Sequence, residues 1–153
     1  MVLISKDLIF KDKTFNDREE ALNFSAQKLL DNGLVKKTYA QAILEREKIF
    51  PTGLPTGNIK VAIPHADAEH VNESALAITT LKKPVGFQNM GDPDSTLDVS
   101  IIIMMAIAEP KKQVAMLQQL MKIVQDQDYL QKILDCQSTD ELYDDLQKKF
   151  CEM

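Results

Sequence analysis

Both histidines of the chain, His65 and His70, fall within residues 53–71, GLPTGNIKVAIPHADAEHV, and a Pro64-His65 pair directly follows a short β-type run over residues 60–63. That placement sets an imidazole where a strand ends. Strand ends feeding loops are where α/β proteins carry reactive groups, and near neutral pH an imidazole can accept a proton, a metal or a phosphoryl group. Pro64 fixes its own φ and donates no backbone hydrogen bond. Ala66 is small, and Asp67 and Glu69 follow closely. The setting suits a histidine held in one orientation, and His65 is the first candidate for chemistry, against the ordinary alternative of a surface or packing residue.

The neighbouring residues admit several chemistries. His70, with Asp67 and Glu69 between it and His65, can be read as part of a metal site with nitrogen and oxygen ligands. Zinc sites need three or four convergent ligands, however, and this spacing does not supply the third and fourth, so no metal is expected. His70 alternatively bonds a loop carbonyl, shapes the His65 pocket or lies on the surface. Arg46, within Glu45-Arg46-Glu47-Lys48, reads either as part of an exposed charged turn with i,i+4 pairing or as a guanidinium near the strand end. In the second reading it stabilises a dianionic phosphoryl group by bidentate hydrogen bonds. Thr52 and Thr56, in the loop before the strand, could add hydroxyl donors to the same oxygens.

Other reaction classes find no support. There is no GxSxG elbow, and Cys136 and Cys151 lie in or beside an amphipathic helix with spacing that matches neither CxxC nor a zinc knuckle. They read as ordinary reduced cysteines. The chain also has no GxxxxGK[ST] loop and no GxGxxG fingerprint, which disfavours a nucleotide-dependent kinase or dehydrogenase. What remains is a histidine without a nucleotide site, and no cofactor is expected.

The elements that must position this histidine follow from periodicity and caps. Asn16-Asp17-Arg18-Glu19 resembles a capping box, and Leu22, Ala26, Leu29 and Leu30 keep helical spacing up to Gly33. Thr38 with Gln41 repeats the capping pattern, Tyr39, Ala42, Ile43 and Phe50 supply an inward face, and Pro51 stops the second helix. The Pro-, Gly- and Thr-rich residues 51–58 predict a loop into the strand at residues 60–63. A second strand fits residues 75–81. Within residues 97–108, the apolar run 101–108 reads as a central strand buried on both faces. Val114, Leu117, Leu120, Met121 and Val124 mark a further helix, residues 129–134 a short one, and Ser138 to Glu141 caps a last helix bearing Leu142, Leu146 and Phe150. The expected fold is α/β, a mixed sheet sandwiched between helices in three layers.

Composition bounds the partners. A chain of 153 residues, 44% hydrophobic, can bury roughly two-thirds of its unfolded surface in one core. One domain spanning residues 1–153 is expected, with its core over about residues 5–150. A net charge of −5 with scattered lysines concentrates no basic face for nucleic acid. The start is too short an apolar stretch for a secretory signal, and no apolar run approaches the ~20 residues that span a bilayer. A soluble, cytoplasmic protein is expected.

Taken together, Arg46-Glu47-Lys48, Pro51-Thr52-Gly53-Leu54, Val61-Ala62-Ile63-Pro64-His65 and Glu69-His70-Val71 resemble the fructose/mannitol-type enzyme IIA domain of the bacterial phosphoenolpyruvate-dependent sugar phosphotransferase system. The resemblance runs over about residues 5–150 in element order as well as motif, and its most specific part is the pairing of REK...PTGL with VAIPH. It implies that His65 takes a phosphoryl group from the phosphohistidine carrier protein HPr and passes it to a cysteine of enzyme IIB. It also implies that Arg46 lies near that group and that a mixed sheet lies between helices. On this reading His65 attacks through one ring nitrogen while a backbone carbonyl or an acidic group, Asp67 being a candidate, keeps the other protonated.

One position departs from the family pattern. Many members carry a second active-site histidine at the start of the helix after the long buried strand, where this chain reads Gln113-Val114-Ala115-Met116-Leu117. Gln113 can donate a hydrogen bond toward the phosphoryl group but cannot titrate near pH 7. The glutamine, with PH.D.EHV, looks more like the galactitol-type branch. The resemblance implies that sugar recognition belongs to the membrane enzyme IIC, that enzymes IIB and IIC are other polypeptides, and that this chain touches proteins only. The alternative is a regulatory domain that signals its phosphorylation state through protein contact.

Overall fold

A computed structural model describes residues 3–151, without the Cys151 side chain, so the expectation for that thiol lies outside the described residues. Five strands and five α-helices occur in the order β1 (Ile9–Lys13), α1 (Arg18–Asp31), α2 (Tyr39–Ile49), β2 (Gly53–Leu54), β3 (Lys60–Ala62), β4 (Ala75–Asn89), β5 (Asp92–Ala106), α3 (Pro110–Ile123), α4 (Gln127–Asp135) and α5 (Thr139–Cys151). The sheet is mixed: β1 runs parallel to β4, β4 antiparallel to β5, β5 parallel to β3, and β3 antiparallel to β2. Gly53 of β2 also meets Asn89 at the far end of β4.

Alternation along the central strands divides the core into two layers. Leu76, Ile78, Ile101, Ile103 and Met105 face α3, α4 and α5, whereas Ala75, Ala77, Ile102, Met104 and Ala106 face α1 and α2. Both faces of the inner half of β5, residues 101–106, are therefore covered, as its unbroken apolar run predicts, and the three-layer arrangement expected from the sequence is present.

Helix boundaries follow local chemistry. Asp17 accepts the Glu20 amide at 2.9 Å and Glu20 reaches back to the Asn16 amide at 3.3 Å, a reciprocal cap on α1. At its other end Gly33 takes φ 72°, and the Leu34 amide bonds the Leu29 carbonyl at 3.1 Å, a close that needs a left-handed residue. Ser138 caps α5 through the Glu141 amide. Thr38 precedes α2 but makes no side-chain cap; its hydroxyl lies 2.8 Å from His70 Nδ1 instead. The ring competes for the hydroxyl that the sequence assigned to the helix.

Three strand features depart from expectation. β1 was not anticipated, because only Ile9 and Phe10 are apolar and the strand lies at the sheet edge with a register shift beyond Phe10. β2 occupies part of the expected loop. There Gly53 sits so close to β4 that a Cβ would lie 2.6 Å from the Gln88 carbonyl oxygen, which explains a glycine in that strand. β4 and β5 extend past their buried halves into a hairpin through Met90 and Gly91. Lys82, Lys83, Pro84 and Gly86 made the outer arm of β4 read as non-strand, and the pairing shifts register between Thr80 and Val85.

Backbone pairing sets the place of His65. The chain leaves β3 at Ala62 and continues beside β5, with the Met105 amide bonded to the Pro64 carbonyl at 2.9 Å and His65 bridging Met105. The fully buried Tyr39, at the start of α2, donates its hydroxyl to the Met105 carbonyl at 2.6 Å. Burial pushes that phenol's pKa far up, so it stays a donor. This bond ties α2 to the same point of the sheet, and Arg46 follows about two turns later.

Candidate functional site

His65 is buried, with 8% of its surface exposed. Its Nδ1 lies 2.9 Å from the Ile63 carbonyl oxygen. A carbonyl can only accept, so Nδ1 carries the proton, and in the neutral ring Nε2 holds the lone pair. Arg46 Nη2 stands 3.5 Å from that Nε2, and Arg46 Nη1 is 3.6 Å from Asp67 Oδ1. The Arg46 guanidinium also lies 5.2 Å from the centre of the Phe50 ring, and its buried Nε–H has no partner among the described residues.

The environment keeps the ring neutral. Burial is the main cause that lowers the His65 pKa from its usual 6.5, the Arg46 charge adds to it, and the Ile63 bond and Asp67 pull the other way. A neutral imidazole with a fixed Nδ1 proton presents a nucleophilic or basic nitrogen at Nε2.

The other sequence candidates sort unevenly around this centre. Asp67, a candidate to hold the second ring nitrogen, pairs with Arg46, and the Ile63 carbonyl takes that place because it lies two residues back along the strand edge. Thr52, expected to offer its hydroxyl to a phosphoryl group, donates it to Glu47, 3.0 and 2.9 Å from the two carboxyl oxygens. Thr56 turns its hydroxyl to the Ile59 carbonyl at 2.7 Å. Gln113 donates from its amide to the Ala66 carbonyl at 2.9 Å, tying α3 to the residue after His65. His70 lines an adjoining hollow with Asp67 and Arg46; its Nδ1 meets Thr38, and its Nε2 is 3.7 Å from Glu69. The two imidazoles thus engage different partners, and among the described residues no three His, Cys, Asp or Glu side chains gather as metal ligands.

Glu47 is the residue that the sequence reading missed. It is 3% exposed and accepts the Thr52 amide at 3.0 Å as well as its hydroxyl. Burial pushes its carboxyl up to about 7, against the lowering pull of Thr52, Arg18 and Arg46. The available signal was spacing: Tyr39, Ile43 and Glu47 are the buried residues of α2, successive i,i+4 positions on one face.

The rim of the site is apolar. Ile49, Phe50 and Met90 line the cleft that holds His65 and Arg46, and all three are exposed, Ile49 to 67%. Exposed Val114 follows Gln113 on α3.

The architecture is that of enzyme IIA domains. It superposes on a putative PTS IIA (PtxA) from Streptococcus mutans with a TM-score of 0.77 at 23% identity, covering 94% of this chain and 89% of that one. The enzyme IIA of mannitol from Escherichia coli, solved in complex with phosphorylated enzyme IIB, gives a TM-score of 0.76 at 24% identity, with 94% and 96% covered. The family model for the phosphoenolpyruvate-dependent sugar phosphotransferase system, EIIA 2, matches residues 2–149, and the chain belongs to that family. It is thus a phosphotransferase component. Among its relatives is the galactitol-specific EIIA component of Escherichia coli (strain K12), 32% identical over 126 residues, covering 82% of this chain and 83% of the relative. Another is the transcriptional regulator ManR of Bacillus subtilis (strain 168), 34% identical over 100 residues, 65% of this chain and 14% of that protein.

Proposed function

We propose that His65 is the phosphoryl acceptor of this enzyme IIA, charged by phospho-HPr and discharged to a cysteine of enzyme IIB. The observation that carries the reading is the fixed tautomer, with Nδ1–H on the Ile63 carbonyl and the Nε2 lone pair beside Arg46. In the first step that lone pair forms a P–N bond as the donor's P–N bond breaks and the electron pair returns to the donor imidazole. In the second, a cysteine thiolate forms the P–S bond and the pair returns to Nε2. Nδ1 keeps its proton in both. Such transfers rest on positioning and charge stabilisation, which the Arg46 guanidinium supplies. The apolar rim of Ile49, Phe50 and Met90 suits partners that dock briefly and leave.

The substrate served is a sugar or sugar alcohol of the galactitol type, a reading supported by the galactitol-specific relative and by glutamine at position 113. Uptake would run through a membrane enzyme IIC that this chain does not touch. No described helix is long and apolar enough to cross a membrane, which fits a cytoplasmic carrier. The match to part of ManR favours a second reading, regulation through the phosphorylation state.

Intact mass after incubation with phosphoenolpyruvate, enzyme I and HPr tests both. One phosphoryl adduct that disappears on adding a galactitol-type enzyme IIB supports the carrier role. An adduct that never passes to enzyme IIB favours regulation, and no adduct with a cognate HPr overturns the proposal.

Two milder expectations arise from the geometry. Gln113 acts on the backbone of Ala66, so Gln113→Ala should slow transfer about tenfold or less, the scale of one hydrogen bond. A loss as complete as that of a His65 variant would mean that Gln113 handles the phosphoryl group itself. Titration followed by NMR should place the His65 ring midpoint below 6.5, the direction that its burial dictates. Below that pH the unfolded chain takes up the proton first, so this site lowers stability as pH falls from 6.5 toward the folded midpoint. A midpoint at or above 6.5 would contradict the desolvated site.

A further inference from the structure

Glu47 is an odd residue for its position. A carboxyl buried in the last turn of α2 faces the negative end of the helix dipole and incurs a desolvation cost, yet every oxygen it has is engaged by one residue, Thr52. From Thr52 the connections run on to the site. Its carbonyl accepts the Ile63 amide at 3.2 Å, and the Ile63 carbonyl accepts the His65 Nδ1–H at 2.9 Å. The carboxyl is thus linked to the imidazole by three hydrogen bonds in succession, joined through the backbone of Thr52 and of Ile63. Thr52 and His65 line the cleft where a phosphoryl group would sit, and Glu47 is not among the residues that line it.

We propose that Glu47 is a positioning residue for His65, acting through Thr52 and the Ile63 backbone to fix the carbonyl that holds the Nδ1 proton. The inference rests on His65 being the phosphoryl acceptor and adds what keeps its acceptor nitrogen free. A neutral imidazole in water exchanges its proton between both nitrogens. Transfer needs the lone pair on Nε2, so any departure of the Ile63 carbonyl from the Nδ1 direction removes part of the reactive population. Both donors of Thr52 are buried with it, and with Glu47 truncated they have no acceptor, which frees the peptide that now holds Ile63. Arg18, from α1, and Arg46 are the cations whose charge reaches Glu47. Their attraction and the two Thr52 donors favour the charged acceptor, while its burial favours a protonated one.

The test reads the tautomer directly, by nitrogen chemical shifts of the His65 ring, beside the single-turnover rate of phosphorylation by phospho-HPr. Wild type should show the Nδ1–H form. Glu47→Ala should raise the Nε2–H population and slow phosphorylation about tenfold, and Glu47→Gln, whose amide oxygen can still accept from Thr52, should recover part of both. Thr52→Val keeps the shape and the amide but removes the hydroxyl donor, and should shift the tautomer in the same direction. It decides the matter should Glu47→Ala fail to fold. Folded variants with a lower melting temperature but an unchanged tautomer and rate would reduce Glu47 to a structural residue and overturn the proposal. His65→Gln run in parallel separates the two levels: an adduct persisting there removes the acceptor assignment itself, whereas its loss beside indifferent Glu47 and Thr52 variants removes only the positioning role.

Discussion

Replacing His65 with glutamine should eliminate the phosphoryl adduct altogether while the protein stays folded. Glutamine fills a similar length and can still donate from its amide to the Ile63 carbonyl that now receives Nδ1–H, so the buried acceptor need not be left unpaired. Even if that carbonyl were left unpaired, the loss would cost about 1–3 kcal/mol, against a sheet whose neighbours Ile63, Ala66 and Met105 are fully packed. What glutamine lacks is a nitrogen lone pair, because its amide nitrogen is conjugated and its oxygen a poor nucleophile. Intact masses taken under alkaline conditions, where phosphohistidine survives, should show one adduct on the wild type and none on His65→Gln. His70 makes the comparison informative: its ring lies in the adjoining hollow beside Arg46, so an adduct persisting in the variant would move the chemistry there. Matching circular dichroism and melting curves complete the result.

How far this site could be read before folding depends on the physical range of each signal. His65 was legible because its cues are local: a β-type run, a proline and an imidazole in succession. The central strand β5 was legible because burial on both faces writes an unbroken apolar run. Arg46 and His65 are 19 residues apart, and their meeting depends on α2 docking at Met105 through Tyr39, which no spacing encodes. Family resemblance brought them together where periodicity could not.

Polar side chains with two available partners were the hardest to read. Thr38 looks like a helix cap, and Thr52 looks like a donor to the site; each instead serves another residue, His70 in one case and Glu47 in the other. A hydroxyl's choice is settled by tertiary neighbours, so its sequence context leaves it open. Glu47 was hidden by its charged flanks, which favour an exposed turn, although its i,i+4 step from Ile43 pointed inward. The outer arm of β4 failed for the opposite reason, since Pro84 and Gly86 argue against a strand that in fact continues: Lys82 to Pro84 are exposed where the pairing with β5 shifts register and proline is tolerated, and Val85 and Phe87 beyond them are buried again.

Arg46→Ala should keep the fold and slow transfer by about 10²–10³, the usual cost of removing a preorganised donor to developing charge. The stability side is small. The Asp67 partner is exposed and 3.6 Å away, an ion pair of the kind that contributes little, and the stack on Phe50 lies at the rim. The kinetic side is large because Arg46 is the cation that lines this cleft among the described residues, and a dianionic phosphoryl group enters between the apolar walls of Ile49, Phe50 and Met90. An exposed carboxylate such as Asp67 is readily displaced, so the free protein holds the guanidinium near its working position without occupying it strongly. Arg46→Lys separates charge from geometry: a lysine restores the positive charge but not the planar fork, and should recover only part of the rate. The ring offers an independent reading, because Arg46 lowers the His65 pKa and its removal should raise the NMR midpoint. A raised midpoint with unchanged transfer kinetics would show that the guanidinium touches the imidazole's field and has no part in carrying the phosphoryl group.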